Sequence, residues 1–99
     1  MNEYPTLAEF SENLHTTFRL LRDGAEALEL ELISVTELTA APRQQQFSLV
    51  FRGPETAPQR QGTYRLAHDR FGTLELFLVP IAKDRDGLQL EAIFTRLEQ

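Results

Sequence analysis

The sequence predicts an all-β domain with one short N-terminal helix, a small antiparallel barrel or sandwich of about six strands. Apolar residues alternate with polar ones over most of the chain after Thr16. Turn signals such as Asp23-Gly24 and Asp86-Gly87 separate the alternating segments. The run Phe71–Ile81 is apolar at both alternating positions and carries one charge. That run predicts a central strand with protein against both of its faces.

Length and composition indicate a single domain over residues 1–99, because 99 residues with 41% hydrophobic side chains supply one small core. The chain has no cysteine, which excludes disulfides, thiolate metal sites and cysteine catalysis. The first residues lack the basic and apolar regions of a secretory signal, and no apolar run reaches the ~20 residues of a membrane helix. We therefore expect a cytoplasmic protein without membrane contact.

The N-terminal helix is predicted over about residues 6–14. Thr6 and Glu9 have the spacing of a capping box, in which each side chain bonds the backbone N–H of the other residue. Leu7, Phe10 and Leu14 recur at helical spacing and predict one apolar face that lies on the sheet.

The first two strands are predicted at Thr16–Leu21 and at about Ala27–Leu38, joined by a turn at Asp23-Gly24. The second strand alternates regularly up to Leu32, and then the apolar positions shift by one residue. Because such a shift would turn the wrong face to water, it predicts a β-bulge near Leu32–Ile33.

The middle of the chain predicts two more strands, Phe47–Arg52 and Thr63–Ala67. A polar connection is expected at Thr39–Gln46. A longer loop follows from Pro54 to Gly62, and its sequence offers no apolar anchor. Loops of this length in small domains are often functional.

The last two strands are predicted at Phe71–Ile81 and Leu88–Leu97, with a hairpin turn at Asp84–Gly87 between them. In the final strand the apolar residues Leu88, Leu90, Ala92 and Phe94 share one face. The pattern predicts the hairpins but not the order of the strands in the sheet.

Charge argues against nucleic acid as a partner, because the chain carries −5 overall and phosphate binding needs a basic surface. The segment Leu38–Leu74 differs, since it holds five arginines and only two acidic residues. Arginine is the preferred cation of protein interfaces. Two interpretations stay open: an ordinary solvated surface, or a basic face that meets an acidic protein or a second copy of this chain. The candidate interaction residues are Arg52, Arg60, Gln61 and Arg65.

No pattern of residues predicts a catalytic, metal or cofactor site. His15 and His68 are the two histidines, and they occur in no metal-binding motif. His15 is expected to face the C-terminus of the helix, and His68 to bond backbone in a turn beside Asp69. Glu29 and Glu31 share one face of a strand, which favours a solvated outer face over acid–base catalysis.

The segment from Phe47 onward contains a string of motifs that resembles a known family. FSLVFRGP (47–54), QGTYRLAH (61–68) and GTLELFLVPI (72–81) are followed by Asp86-Gly87 and a closing strand. This pattern is similar to a bacterial family of small proteins, about 100 residues long, classed only as a domain of unknown function. The resemblance implies a fold class and no activity. An association with phage-tail-collar-like proteins favours a structural or adaptor role.

These observations favour a non-enzymatic structural or protein-interaction module, a component or adaptor of a phage-tail-like assembly, with a protein partner or self-association. The first alternative is a small-ligand-binding barrel, with a pocket lined by Tyr64, Phe51 or Phe77. A third hypothesis is an enzyme, which would require His68 in a cleft beside Asp69 or a glutamate. A further alternative is nucleic-acid stacking on Phe51 and Tyr64 with arginines nearby, which the net charge opposes.

Overall fold

Six antiparallel strands close into a barrel in the computed structural model, which describes residues 4–41 and 44–97. The predicted fold class, an all-β barrel with one short helix, is confirmed. Around the barrel the order is β1-β2-β3-β6-β5-β4, and β4 returns to pair with β1. The elements are α1 (Leu7–Glu12), β1 (Thr17–Leu20), β2 (Leu28–Ala41), β3 (Gln44–Gly53), β4 (Gly62–His68), β5 (Gly72–Asp84) and β6 (Gly87–Leu97).

Helix α1 begins at the predicted capping box. The Thr6 hydroxyl accepts the Glu9 backbone N–H at 3.1 Å, and the Glu9 carboxylate accepts the Thr6 N–H at 2.9 Å. The helix ends at Glu12, two residues before the predicted Leu14, because the chain leaves helical geometry at Asn13. Phe10 is its buried residue and reaches into one end of the barrel.

Strands β2 and β3 are longer than their sequence predicts. The bulge near Leu32–Ile33 is confirmed by a register shift between Leu32 and Ser34. The polar connection expected at Thr39–Gln46 is wrong, since residues 39–41 and 44–46 pair as strand. Polar side chains stabilise this pairing across the strands, as Gln45 donates to the Glu37 carboxylate at 3.1 Å. The remaining part of that connection, residues 42–43, lies outside the described residues.

Strand β5 has one buried face, so the expectation of protein against both faces is wrong. The residues that face the interior are Leu74, Leu76 and Leu78. Phe77 and Ile81 are exposed instead. The physical reason is closure: a small barrel has a single interior, and no second layer covers the outer side of its strands.

One end of the barrel is covered by the connection from β3 to β4, residues 54–61. These two strands are not neighbours in the barrel, so the connection must cross its end. The expectation that this loop lacks an apolar anchor is wrong, because Ala57 is buried in the core cluster. The backbone at this end of the barrel packs closely on its neighbours. A Cβ atom at Gly53 would overlap the Leu30 side chain, and one at Gly87 would overlap the Gly53 carbonyl.

The opposite end is covered by α1 and by aromatic side chains. Phe10 contacts the rings of Phe47, Phe71 and Phe94 at centroid distances of 6.1, 5.5 and 5.5 Å. Burial of these rings is worth several kcal/mol by the usual ~25 cal/mol per Å² of apolar surface. The described part of the chain contains no helix long and apolar enough to cross a lipid bilayer.

Candidate functional site

The structure separates the four predicted interaction residues. Arg52 lies on the outer face of β3, opposite Gln89 of β6, and Gln89 in turn pairs with Ala82 of β5. Arg65 lies on β4 and pairs with Glu75 of β5. Glu75 and Ala82 are seven residues apart on the same strand. At ~3.3 Å per residue, Arg52 and Arg65 are thus roughly 20 Å apart along the strand direction.

Arg60 and Gln61 lie at the end of the 54–61 loop, where both residues are exposed. The Tyr64 hydroxyl donates to the Arg60 backbone carbonyl at 2.7 Å and fixes the loop against β4. This contact uses the backbone of Arg60 and leaves its guanidinium outside. Arg52 and Arg65 therefore lie on different parts of the barrel, and Arg60 and Gln61 lie on the loop that crosses its end.

A different surface stands out on the outside of β3, β6 and β5, which we call the β3–β6–β5 wall. Its apolar members are Val50, Phe77, Val79, Ile81 and Ile93. Val50 and Val79 lie on either side of Glu91 in the sheet register. Phe77, Ile81 and Ile93 have exposures of 53%, 47% and 55%. Clustered large apolar side chains at such exposure are typical of protein-binding surfaces.

Arg52 borders this wall and has an unusual environment. Its Nε atom is buried and has no hydrogen-bond partner. None of the ion pairs formed among the described residues involves its guanidinium. A buried donor without an acceptor costs about 1–3 kcal/mol, so an incoming acceptor at this position would be favourable. Glu91, between Val50 and Val79 on the wall, is half-buried, and Glu75 of β5 is exposed.

The other side of the barrel, formed by β1, β4 and the first part of β2, carries charges that pair with each other. We call this side the charged half. Its ion pairs are Arg19–Asp69 at 3.2 Å and Arg65–Asp23 at 3.8 Å, and the His15 Nδ1 atom hydrogen-bonds the Glu31 carboxylate at 2.9 Å. Glu29 is exposed there, on the outer face predicted for it and for Glu31. These partners lie within the chain, so this side has less to offer a protein partner than the wall.

His68 is buried in the turn between β4 and β5. Its Nδ1 atom accepts the Arg70 backbone N–H at 3.1 Å, which confirms the predicted backbone bond. Its Nε2 atom lies 2.9 Å from the Thr16 hydroxyl. Burial lowers the pKa of the imidazole below its usual 6.5, against an opposing effect of Asp69. Both ring nitrogens thus bond protein groups, and Asp69 pairs with Arg19.

His15 does not have the contact expected of it. The residue was expected to face the C-terminus of α1, but it lies in the turn after the helix with a positive φ of 69°. Its Nδ1 atom bonds the Glu31 carboxylate of β2, and its backbone N–H donates to the Leu32 carbonyl. The side chain therefore belongs to the surface charge network of the charged half.

The residues proposed for a ligand pocket do not line one pocket. Phe51 is fully buried in the core, whereas Phe77 is outside on the wall. The burial of Phe51 also prevents it from stacking on a nucleic-acid base beside Arg52. A cavity of about 250 Å³ lies elsewhere, lined by Tyr4, Pro5, Glu9, Phe71 and Leu74. Among the described residues, no three His, Asp or Glu side chains are grouped so that they could hold a metal ion.

Sequence reasoning missed the wall because it assigned Phe77 and Ile81 to a strand covered on both faces. The signal was present in the alternation of β5, where Leu74, Leu76 and Leu78 form one apolar face. Phe77 and Ile81 then belong to a second face, and only the closed topology shows that this face is outside.

Comparison with known protein families gives a match that covers most of the chain. The family described as Domain of unknown function (DUF6916) matches residues 5–94. The chain belongs to this family. The resemblance based on the motifs after Phe47 is thereby confirmed, and it extends through the N-terminal helix. No curated protein and no solved structure matches the chain.

Proposed function

We propose that this DUF6916 protein is a non-enzymatic protein-interaction module that binds its partner through the β3–β6–β5 wall. The observation that carries the proposal is the exposure of Phe77, Ile81 and Ile93 on the same wall as Arg52, whose buried Nε has no partner. Aromatic residues and arginine around an apolar centre are the composition of binding hot spots.

The partner that fits this surface is a protein with an apolar face and a carboxylate at its edge. The carboxylate would accept hydrogen bonds from Arg52, whose planar guanidinium binds such groups in two places. A basic group of the partner beside Glu91 would complete the charge match. A nucleic acid fits poorly, because Arg52 shares the outer face of these strands with the acidic residues Glu75 and Glu91 and phosphate binding requires several cations.

The type of assembly stays a prediction. The adaptor or structural role in a phage-tail-like assembly that the resemblance implies is part of this proposal, and a contact through a barrel wall is compatible with that role. Self-association through the wall is the alternative outcome of the test. An enzymatic function has no support from His68, since both of its ring nitrogens bond protein groups.

The test uses the purified protein as bait in extracts of the organism that encodes it, with quantitative mass spectrometry of the captured proteins. Two variants, Phe77→Asp and Arg52→Glu, change the wall. Two controls, Thr73→Asp and Arg22→Glu, introduce the same charges at exposed positions away from Phe77, on β5 and in the β1–β2 connection. Circular dichroism and the unfolding midpoint establish that all four variants are folded.

We expect at least one protein to be captured by the wild type and both controls and reduced about tenfold or more by both wall variants. The mass of the wild-type protein alone, measured by light scattering, shows whether that protein is a second copy. Capture that is equal for all four variants, or that is lost with Arg22→Glu and retained with Phe77→Asp, would refute the wall as the binding surface.

A further inference from the structure

A chain of hydrogen bonds joins His68 to helix α1. The His68 Nε2–H donates to the Thr16 hydroxyl at 2.9 Å, and that hydroxyl donates to the Asn13 carbonyl at 2.6 Å. The Asn13 side-chain amide donates in turn to the Glu9 carbonyl inside the helix at 2.8 Å. The turn between α1 and β1 is thus fastened to the end of β4 by side chains.

The direction of these bonds requires a neutral ring. The Arg70 backbone N–H can act only as a donor, so the His68 Nδ1 atom that it contacts must be the acceptor. The single ring proton is then on Nε2 and points to Thr16. A second proton would place two N–H groups against each other at Nδ1 and break the bond to Arg70.

The charged groups around the ring come from every element packed against it. Asp69 and Arg70 belong to its own turn, and Arg19 comes from β1. From α1, Glu12 pairs with Arg70 at 3.6 Å, and the Glu9 carboxylate caps the helix. In the α1–β1 turn, the remaining titratable residues are His15 and its partner Glu31 of β2. Asp69 alone among those adjacent to the ring favours a protonated imidazole, and it already pairs with Arg19.

Displacement of the ring would also loosen the helix through aromatic contacts. The imidazole stacks on Phe71 at 4.6 Å and lies against Phe18 at 4.3 Å. Phe71 makes an edge contact with Phe10, which is the buried residue of α1. A ring that leaves this position removes one side of the site in which Phe10 packs.

We propose that His68 is a proton-sensitive latch: the neutral ring holds α1 on the end of the barrel, and protonation releases it. Burial keeps the pKa of His68 low while the helix is docked, and in the open state it returns toward 6.5. Opening then takes up one proton in the window between these two values. Within it the opening equilibrium constant rises about tenfold for each pH unit of acidification, and above about 6.5 it is independent of pH.

Amide hydrogen exchange measured by NMR from pH 7.5 to 5 tests this latch. The reporters are the amides of Phe10 and Asn13, which bond the Thr6 and Phe10 carbonyls. Leu49, buried in β3, is the reference for global unfolding. His68→Gln keeps a donor for Thr16 but cannot titrate, and His15→Asn removes the other histidine at a position where asparagine tolerates the positive φ.

We expect the protection of Phe10 and Asn13, relative to Leu49 and corrected for intrinsic exchange, to fall on acidification below 6.5 in the wild type and in His15→Asn, by at most about tenfold per pH unit. It should not depend on pH in His68→Gln. Should that variant fail to fold, Thr16→Val removes the hydroxyl link and keeps the ring, and we expect α1 to lose protection already at pH 7.5. Protection of α1 that follows Leu49 at every pH, or that falls equally in His68→Gln, would overturn the proposal.

Discussion

The charged half and the β3–β6–β5 wall differ in how their charged side chains are paired. On the charged half, Arg19 and Arg65 have carboxylate partners within the chain at 3.2 and 3.8 Å. On the β3–β6–β5 wall, the Nε atom of Arg52 is buried without a partner, and large apolar side chains are exposed elsewhere on the same wall. The two sides are built from the same barrel and share the same interior.

This difference is the reason for placing the proposed partner on the wall. Exposed ion pairs contribute little to stability, so the charged half gains little from its pairs and needs nothing further from outside. The wall leaves both a buried donor and apolar surface uncompensated, which costs free energy in the isolated chain. A surface with these costs is best explained by a contact that removes them.

The largest effect on stability that separates the two sides is expected for Arg52→Met. Methionine fills a similar volume and removes the unsatisfied Nε, so we expect the free energy of unfolding to rise by about 1 kcal/mol in urea titrations. The same variant should bind the partner less well, since it lacks the guanidinium.

Arg65→Met is the matched control on the charged half. Its side chain is 55% exposed and pairs with Asp23, so its replacement should change the free energy of unfolding by less than about 0.5 kcal/mol. A loss of stability in Arg52→Met as large as in Arg65→Met or larger would remove the distinction between the two sides.

The smallest effect is expected for Arg19→Ala. The Arg19–Asp69 pair has side-chain exposures of 40% and 91%, so solvent screens most of its attraction. We expect a loss of at most about 0.5 kcal/mol by chemical denaturation and no change in partner capture. A loss above about 1.5 kcal/mol would mean that the charged half contributes to the fold in a way that these contacts do not explain.

Local features of the fold could be predicted from the sequence because neighbouring residues determine them. The capping box of Thr6 and Glu9, the hairpin turn at Asp84–Gly87 and the bulge after Leu32 all depend on residues close in the chain. The pairing of β3 with β6 and of β1 with β4 depends on residues far apart, and no pattern specifies it. For this reason the sequence predicts a barrel or a sandwich without deciding between them.

The candidate site was less predictable, for the same reason. Arg52 was identified from its residue type, but its environment depends on β6 packing beside β3. Phe77 was assigned to a covered face because an apolar residue in an apolar run favours burial. Ala57 shows the opposite error: a small residue in a polar loop is buried, because the loop crosses the barrel end.

Site-specific photo-crosslinking tests most directly whether another protein binds the β3–β6–β5 wall. A benzophenone amino acid replaces Phe77 on the wall or, as the control, Thr73 on the same face of β5, in cells of the organism that encodes the protein. We expect a discrete protein adduct at position 77 on irradiation and none at position 73. No adduct at position 77, or equal adducts at both positions, would contradict it.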